Sequence, residues 1–208
     1  MSELRMLFEK KGRAKYLSQL DCMHTLTRAF TRAGFKLKYS QGFNPHPRLS
    51  VAHPLPVGVE GYAEMLDFDV DEELPADALE RLNARLPDGI KGLKLYTPDV
   101  PVKAYTFADY QLEFIYDGGV PDGVAEVFER ENIPVTKKSK SGMSEINLRT
   151  VFSNMSELSR TDRSVRFSVR LDAKNAPINP RYFADALENA GMKPDFARYA
   201  RTGFVMAE

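Results

Sequence analysis

Hydrophobic periodicity in the first hundred residues switches from two to 3.6 and back, twice over, and that order of periods leaves few folds open. Residues 4–8 alternate apolar and polar side chains as a strand. Ser18 then stands three residues before Asp21, as an N-cap with an acid in the first turn, and Gly34 sits where a C′ glycine belongs. Between them Leu20, Met23, Thr27 and Phe30 trace the expected buried stripe, with Asp21, His24, Thr25, Arg28 and Arg32 largely opposite. Residues 35–39 alternate as a second strand. Residues 49–59 are apolar but broken by Pro54, Pro56 and Gly58, which suits an edge segment. Residues 64–70 alternate most cleanly, with their acids expected to face away from the core and Met65 or its neighbours filling the other side. Pro75 opens a helix expected to run to Leu86 on Leu79, Leu82 and Leu86, and residues 89–96 return as a strand.

After a Pro-containing linker at 97–104 the pattern repeats more loosely. Residues 110–116 read as a strand, 122–131 as a helix and 133–136 as a strand entering Lys137, Lys138 and Lys140. Residues 147–158 read as a short helix or an irregular insertion. Beyond them lie a strand at 165–171, a helix over 180–190 ending at Gly191, and a strand at 198–206. The expected fold class is α+β: two tandem ferredoxin-like (βαββαβ) units with antiparallel sheets, at 1–98 and, less regular, at 104–208.

Two counts narrow the function. The formal net charge is zero, yet residues 1–50 carry ten Lys and Arg against three Asp and Glu, whereas residues 51–100 carry four against eleven. A basic quarter closed by an acidic one is either a face for a polyanion or two surfaces that neutralise each other. Cys22 is the single cysteine, so the chain alone builds no disulfide, no multi-thiolate zinc site and no cysteine-held iron–sulfur cluster. No cofactor and no metal are expected. No apolar run is long enough to span a bilayer, and the amino terminus is charged and strand-like, so the expectation is a cytoplasmic protein with no membrane partner.

The candidate site is the segment Ser40-Gln41-Gly42-Phe43-Asn44-Pro45-His46-Pro47-Arg48. Two prolines fix φ on either side of His46 and Gly42 permits a turn closed to other residues, so an amide, an imidazole and a guanidinium stand on a stiff backbone. Asn44, His46 and Arg48 are candidates to clamp a phosphate, a base or a carboxylate. The alternative is that Asn44 caps the turn and His46 locks the loop. Around them Arg28, Arg32, Lys36 and Lys38 mingle with Tyr39 and Phe43, a mixture that suits single-stranded RNA. Lys137, Lys138 and Lys140 form a secondary basic loop, read either as a phosphate grip or as a solvated tip.

Tyr16-Leu17-Ser18-Gln19-Leu20-Asp21, the run from Arg28 to Gly34, and the segment from Tyr39 to Arg48 together resemble the radical SAM-linked family, a bacterial domain of unknown function found alone or fused to radical SAM enzymes. Pro54-Leu55-Pro56-Val57-Gly58 and Glu64 extend the likeness, which is strong to about residue 70, and Asn147-Leu148-Arg149 is a later echo. Gln19 stands where the family usually has His, and His24 where it commonly has Arg. The resemblance implies work beside a radical SAM enzyme, with RNA as the substrate class. Three functions are therefore expected to compete: a non-catalytic RNA-binding or substrate-presenting module, a metal-independent ribonuclease using His46 as general acid or base, and a protein–protein adaptor.

Overall fold

The computed structural model describes residues 4–139, 142–174 and 177–206. It is a mixed α+β chain with mostly antiparallel strands and few helices, and it divides into two compact units, Met1–Ala104 and Tyr105–Glu208.

The first unit runs β1 (Leu4–Lys10), a 3-10 turn (Gly12–Tyr16), α1 (Gln19–Arg32), β2 (Leu49–Val51), β3 (Glu60–Phe68), α2 (Ala78–Asn83) and β4 (Ile90–Tyr96). Its antiparallel strands lie in the order β4-β1-β3-β2. α1 starts as the sequence expects: the Asp21 N–H donates to Ser18 Oγ at 3.1 Å, and Gly34, at φ +84°, lets the chain leave after Arg32. Met6 and Phe8 of β1, Leu66 and Phe68 of β3, and Leu26, Ala29 and Phe30 of α1 form the core, with Phe30 edge-on to Phe68 at 4.7 Å.

Three expectations change here. The buried face of α1 is Cys22, Leu26, Ala29 and Phe30, whereas Leu20 is 65% exposed. The i, i+4, i+7 spacing from Cys22 puts small and branched residues against the sheet, so the true stripe is rotated from the one that begins at Leu20. The 35–39 segment makes only isolated bridges, Leu37 to Val70 and Tyr39 to Pro47, and β2 takes the edge position in the sheet. The acids of β3 do not all face away from the core: Glu64 shares its side of the strand with Leu66 and Phe68 and is 1% exposed.

The second unit runs β5 (Tyr105–Ile115), α3 (Val124–Glu129), a separate hairpin of β6 (Pro134–Ser139) and β7 (Gly142–Asn147), a 3-10 turn (Leu148–Val151), β8 (Phe152–Arg160), β9 (Ser164–Asp172), α4 (Tyr182–Asn189) and β10 (Phe196–Met206). Its sheet order is β10-β5-β9-β8, all antiparallel. Phe114, Phe128, Phe167 and Phe183 meet at centroid distances of 5.5–6.2 Å in its core. Residues 133–136 contribute to the separate hairpin, while most of 147–158 is sheet strand. Phe152, Met155 and Leu158 are three apart, which reads as helix. Register shifts between Ser153 and Ser156 and between Glu157 and Ser159 break the period of two and explain that spacing.

Tyr116 closes the end of β5 with its hydroxyl donating to Met192 O at 3.0 Å, and burial pushes its phenol from the usual 10 up to about 12. Burial also raises Tyr199. A pKa raised on folding gives stability that is complete below the unfolded value and lost as pH climbs through the folded one. Urea-unfolding free energy is thus expected to hold to about pH 10 and to fall by roughly 2 kcal/mol toward pH 12, with Tyr116→Phe flattening that fall. An unchanged alkaline slope in Tyr116→Phe would mean that the phenol reaches water when folded.

Candidate functional site

Residues 38–48 fold back as an irregular hairpin. The Ser40 N–H donates to His46 O at 2.9 Å and the Arg48 N–H donates to Lys38 O at 2.8 Å, giving two rungs across a turn in which Gly42 has φ +123°. The prolines on either side of His46 donate nothing, so the ladder is completed by a side chain: the His46 N–H donates to Ser40 Oγ at 3.1 Å. The same hydroxyl lies 3.0 Å from His46 Nδ1, which is also 3.4 Å from Asn44 O. Nδ1 is therefore held, and among the described residues Nε2 meets no partner on this exposed ring. Arg48 reaches Asp69 at 2.9 Å; Asp69 is buried and the guanidinium remains half in solvent.

At the tip the Phe43 ring is entirely exposed, with Tyr39 half exposed on the preceding strand segment. An apolar ring held wholly in water is an unfavourable arrangement that a partner can relieve. The Asn44 side chain makes no hydrogen bond among the described residues, so the alternative in which it caps the turn is not seen there. The hairpin thus brings together Tyr39, Phe43, Asn44, His46 and Arg48.

The remaining basic candidates are dispersed. Arg32 donates to Arg85 O at 2.8 Å, satisfying a carbonyl just past α2, and Lys36 pairs with Glu72 at 3.4 Å. Arg28 lies on the exposed side of α1 without an acidic partner among the described residues, while Lys38 lends its backbone to the hairpin ladder. In the second unit Lys137 donates to Pro177 O at 3.5 Å, Lys138 stands on β6, and Lys140 lies outside the described residues. Among the described residues, no three His, Cys, Asp or Glu side chains gather as metal ligands.

A second constellation, inside the first unit, was not expected. Lys10 and Glu64 are 4% and 1% exposed and line a cavity of about 20 Å³ with Gln19, Cys22 and Leu55. That volume holds about one water. Lys10 Nζ donates to Leu17 O at 3.3 Å, tying β1 to the entry of α1. Burial raises the Cys22 thiol; the Lys10 charge opposes the rise and the Glu64 charge adds to it. Gly61 makes room for the carboxyl, since a Cβ there would lie 2.5 Å from Glu64 Oε1. The signal is strand parity: Lys10 is in phase with Met6 and Phe8, and Glu64 with Leu66 and Phe68.

A family described as uncharacterized protein conserved in bacteria (DUF2344) matches residues 3–180. The chain belongs to that family. No curated protein matches it. Among solved structures, this member of the family is similar to a chain in the crystal structure of a Cbf5-Nop10-Gar1 complex, at 11% identity and a TM-score of 0.56, over 98% of its own length and 49% of the other chain. It is also similar to a chain in the structure of an H/ACA RNP bound to a substrate RNA containing 2'-deoxyuridine, at 11% identity and a TM-score of 0.51, over 97% and 47%. The family member thus spans about half the length of the solved chains it matches, and at this identity the likeness is one of fold. No helix among the described residues is long and apolar enough to cross a membrane.

Proposed function

We propose that this chain is a non-catalytic RNA-binding module that presents its substrate to a separate radical SAM enzyme in the cytoplasm, using the 38–48 hairpin as its contact. The single observation that carries the reading is the hairpin tip: a wholly exposed Phe43 ring beside an imidazole and a guanidinium whose backbones are already fixed. Stacking of a base on Phe43 removes exposed apolar surface, and Arg48 meets a phosphate without first being ordered. The strand orders support reading each unit as ferredoxin-like, a fold whose sheet and loops serve RNA recognition elsewhere. The fold neighbour from an H/ACA RNP bound to a substrate RNA supports RNA by analogy. The radical SAM partner rests on the motif resemblance, and co-purification from a bacterial lysate is its test.

Anisotropy of a labelled single-stranded RNA tests the RNA contact. Affinity should fall steeply with added salt, Phe43→Ala should weaken it about tenfold, and Arg48→Ala should lower the salt slope by about one. A salt-independent affinity, or a Phe43→Ala variant that binds like the native chain, overturns the reading. One observation favours a second function: with Nδ1 held by Ser40, His46 presents Nε2 outward in the pose of a general acid or base. A metal-independent ribonuclease predicts cleavage in the presence of chelator that His46→Ala abolishes, and RNA that survives long incubation removes it.

A further inference from the structure

The second unit carries a groove of about 530 Å³ between α3 and β8, with apolar walls from Phe128 and Phe152. That is the scale of a site for one nucleotide-sized ligand. The Arg149 guanidinium lies over the Phe152 ring, 5.1 Å from its centroid, and Nη1 donates to Phe152 O at 3.4 Å. One face and one edge are thereby fixed, and the residue as a whole is exposed, with no acidic partner among the described residues. Asn154, at φ +51°, also lines the groove where the β8 backbone shifts register.

The charges say what enters. Glu157 also lines the groove but is engaged by Arg160 through two bonds of 3.0 and 2.8 Å, so its charge is offset. Glu129 lines it as well, leaving one cation and one anion facing the space. A dianionic phosphate gains little from Arg149 when Glu129 repels it. A neutral planar ring gains from both, stacking on the guanidinium and donating an edge N–H to the carboxylate.

We propose that this groove binds a nucleobase, stacked on Arg149 and read at its edge by Asn154 and Glu129. The inference rests on the RNA reading for the source of the base alone, so the probe is a mononucleotide: 2-aminopurine ribonucleoside 5′-monophosphate, whose fluorescence falls on stacking. The full chain should quench it saturably, and Arg149→Ala should weaken binding about tenfold, the weight of one stacking contact. Arg149→Lys keeps the charge and the fold but has no planar face, and it should be as weak as Arg149→Ala. Asn154→Gly suits the left-handed backbone and should also bind more weakly with its fold intact. Ribose 5-phosphate should not compete. No quenching at millimolar probe overturns the inference, as does native-like binding by Arg149→Lys or effective competition by ribose 5-phosphate. The hairpin is scored separately, by the salt dependence of RNA anisotropy, so its failure to hold RNA would not be read as a failure of this groove.

Discussion

Glu64→Gln is expected to destabilise the protein by about 3 kcal/mol or more, because it leaves the Lys10 ammonium buried opposite a neutral amide. The two side chains share a cavity with room for about one water, so neither charge is well hydrated. Lys10→Met should cost about as much, since it removes the cation that shares this cavity with the Glu64 carboxylate. The double variant Lys10→Met with Glu64→Leu should regain most of the loss, as apolar residues of similar size on the core side of β1 and β3 pack with Phe8 and Leu66. Urea unfolding followed by circular dichroism gives all four free energies. Single substitutions that each lose under about 1 kcal/mol would mean that both charges reach bulk water in solution.

The same pair marks where the sequence was legible and where it was not. Period-two alternation located strands at 4–8 and 64–70, where β1 runs Leu4–Lys10 and β3 runs Glu60–Phe68, and in β3 it sets Glu64 in phase with Leu66 and Phe68. The expectation that acids face solvent then overrode the parity, and it failed because a local rule of composition knows nothing of the helix above. α1 was found from its capping residues, which act within one turn. Its rotation was misjudged because a stripe starting at Cys22 and one starting at Leu20 differ only in which sheet residues they meet. The stiff turn was legible for the opposite reason: Pro45 and Pro47 fix their own φ angles and Gly42 adopts a φ closed to other residues, with no tertiary partner needed. What no single stretch could announce is the Arg149 groove, which is assembled from α3, a 3-10 turn and a strand whose register shifts erase its own period.

Gly89→Ala is the second large effect, and it works through the backbone near that cavity. Gly89 has φ +88°, and a Cβ there would lie 2.5 Å from Lys11 O and 2.9 Å from Ala14 Cβ. Gly89 O also accepts from the Lys11 N–H at 2.7 Å, so the glycine and the 3-10 turn cannot separate without losing that bond. Left-handed strain costs roughly 1–2 kcal/mol and relieving the overlap adds to it, for an expected loss of about 3 kcal/mol. Gly58 supplies the control: it has φ +88° with nothing within 4 Å of its Cβ position, so Gly58→Ala should show the strain alone. Cys22, the single cysteine, then reports on the cavity. Pushing the turn outward moves the stretch that carries Leu17 O, the acceptor for Lys10, so thiol labelling should accelerate in Gly89→Ala and stay near the native rate in Gly58→Ala. Equal losses of stability in the two variants, with equal labelling rates, would show that the turn yields to the new methyl group without disturbing the buried charges.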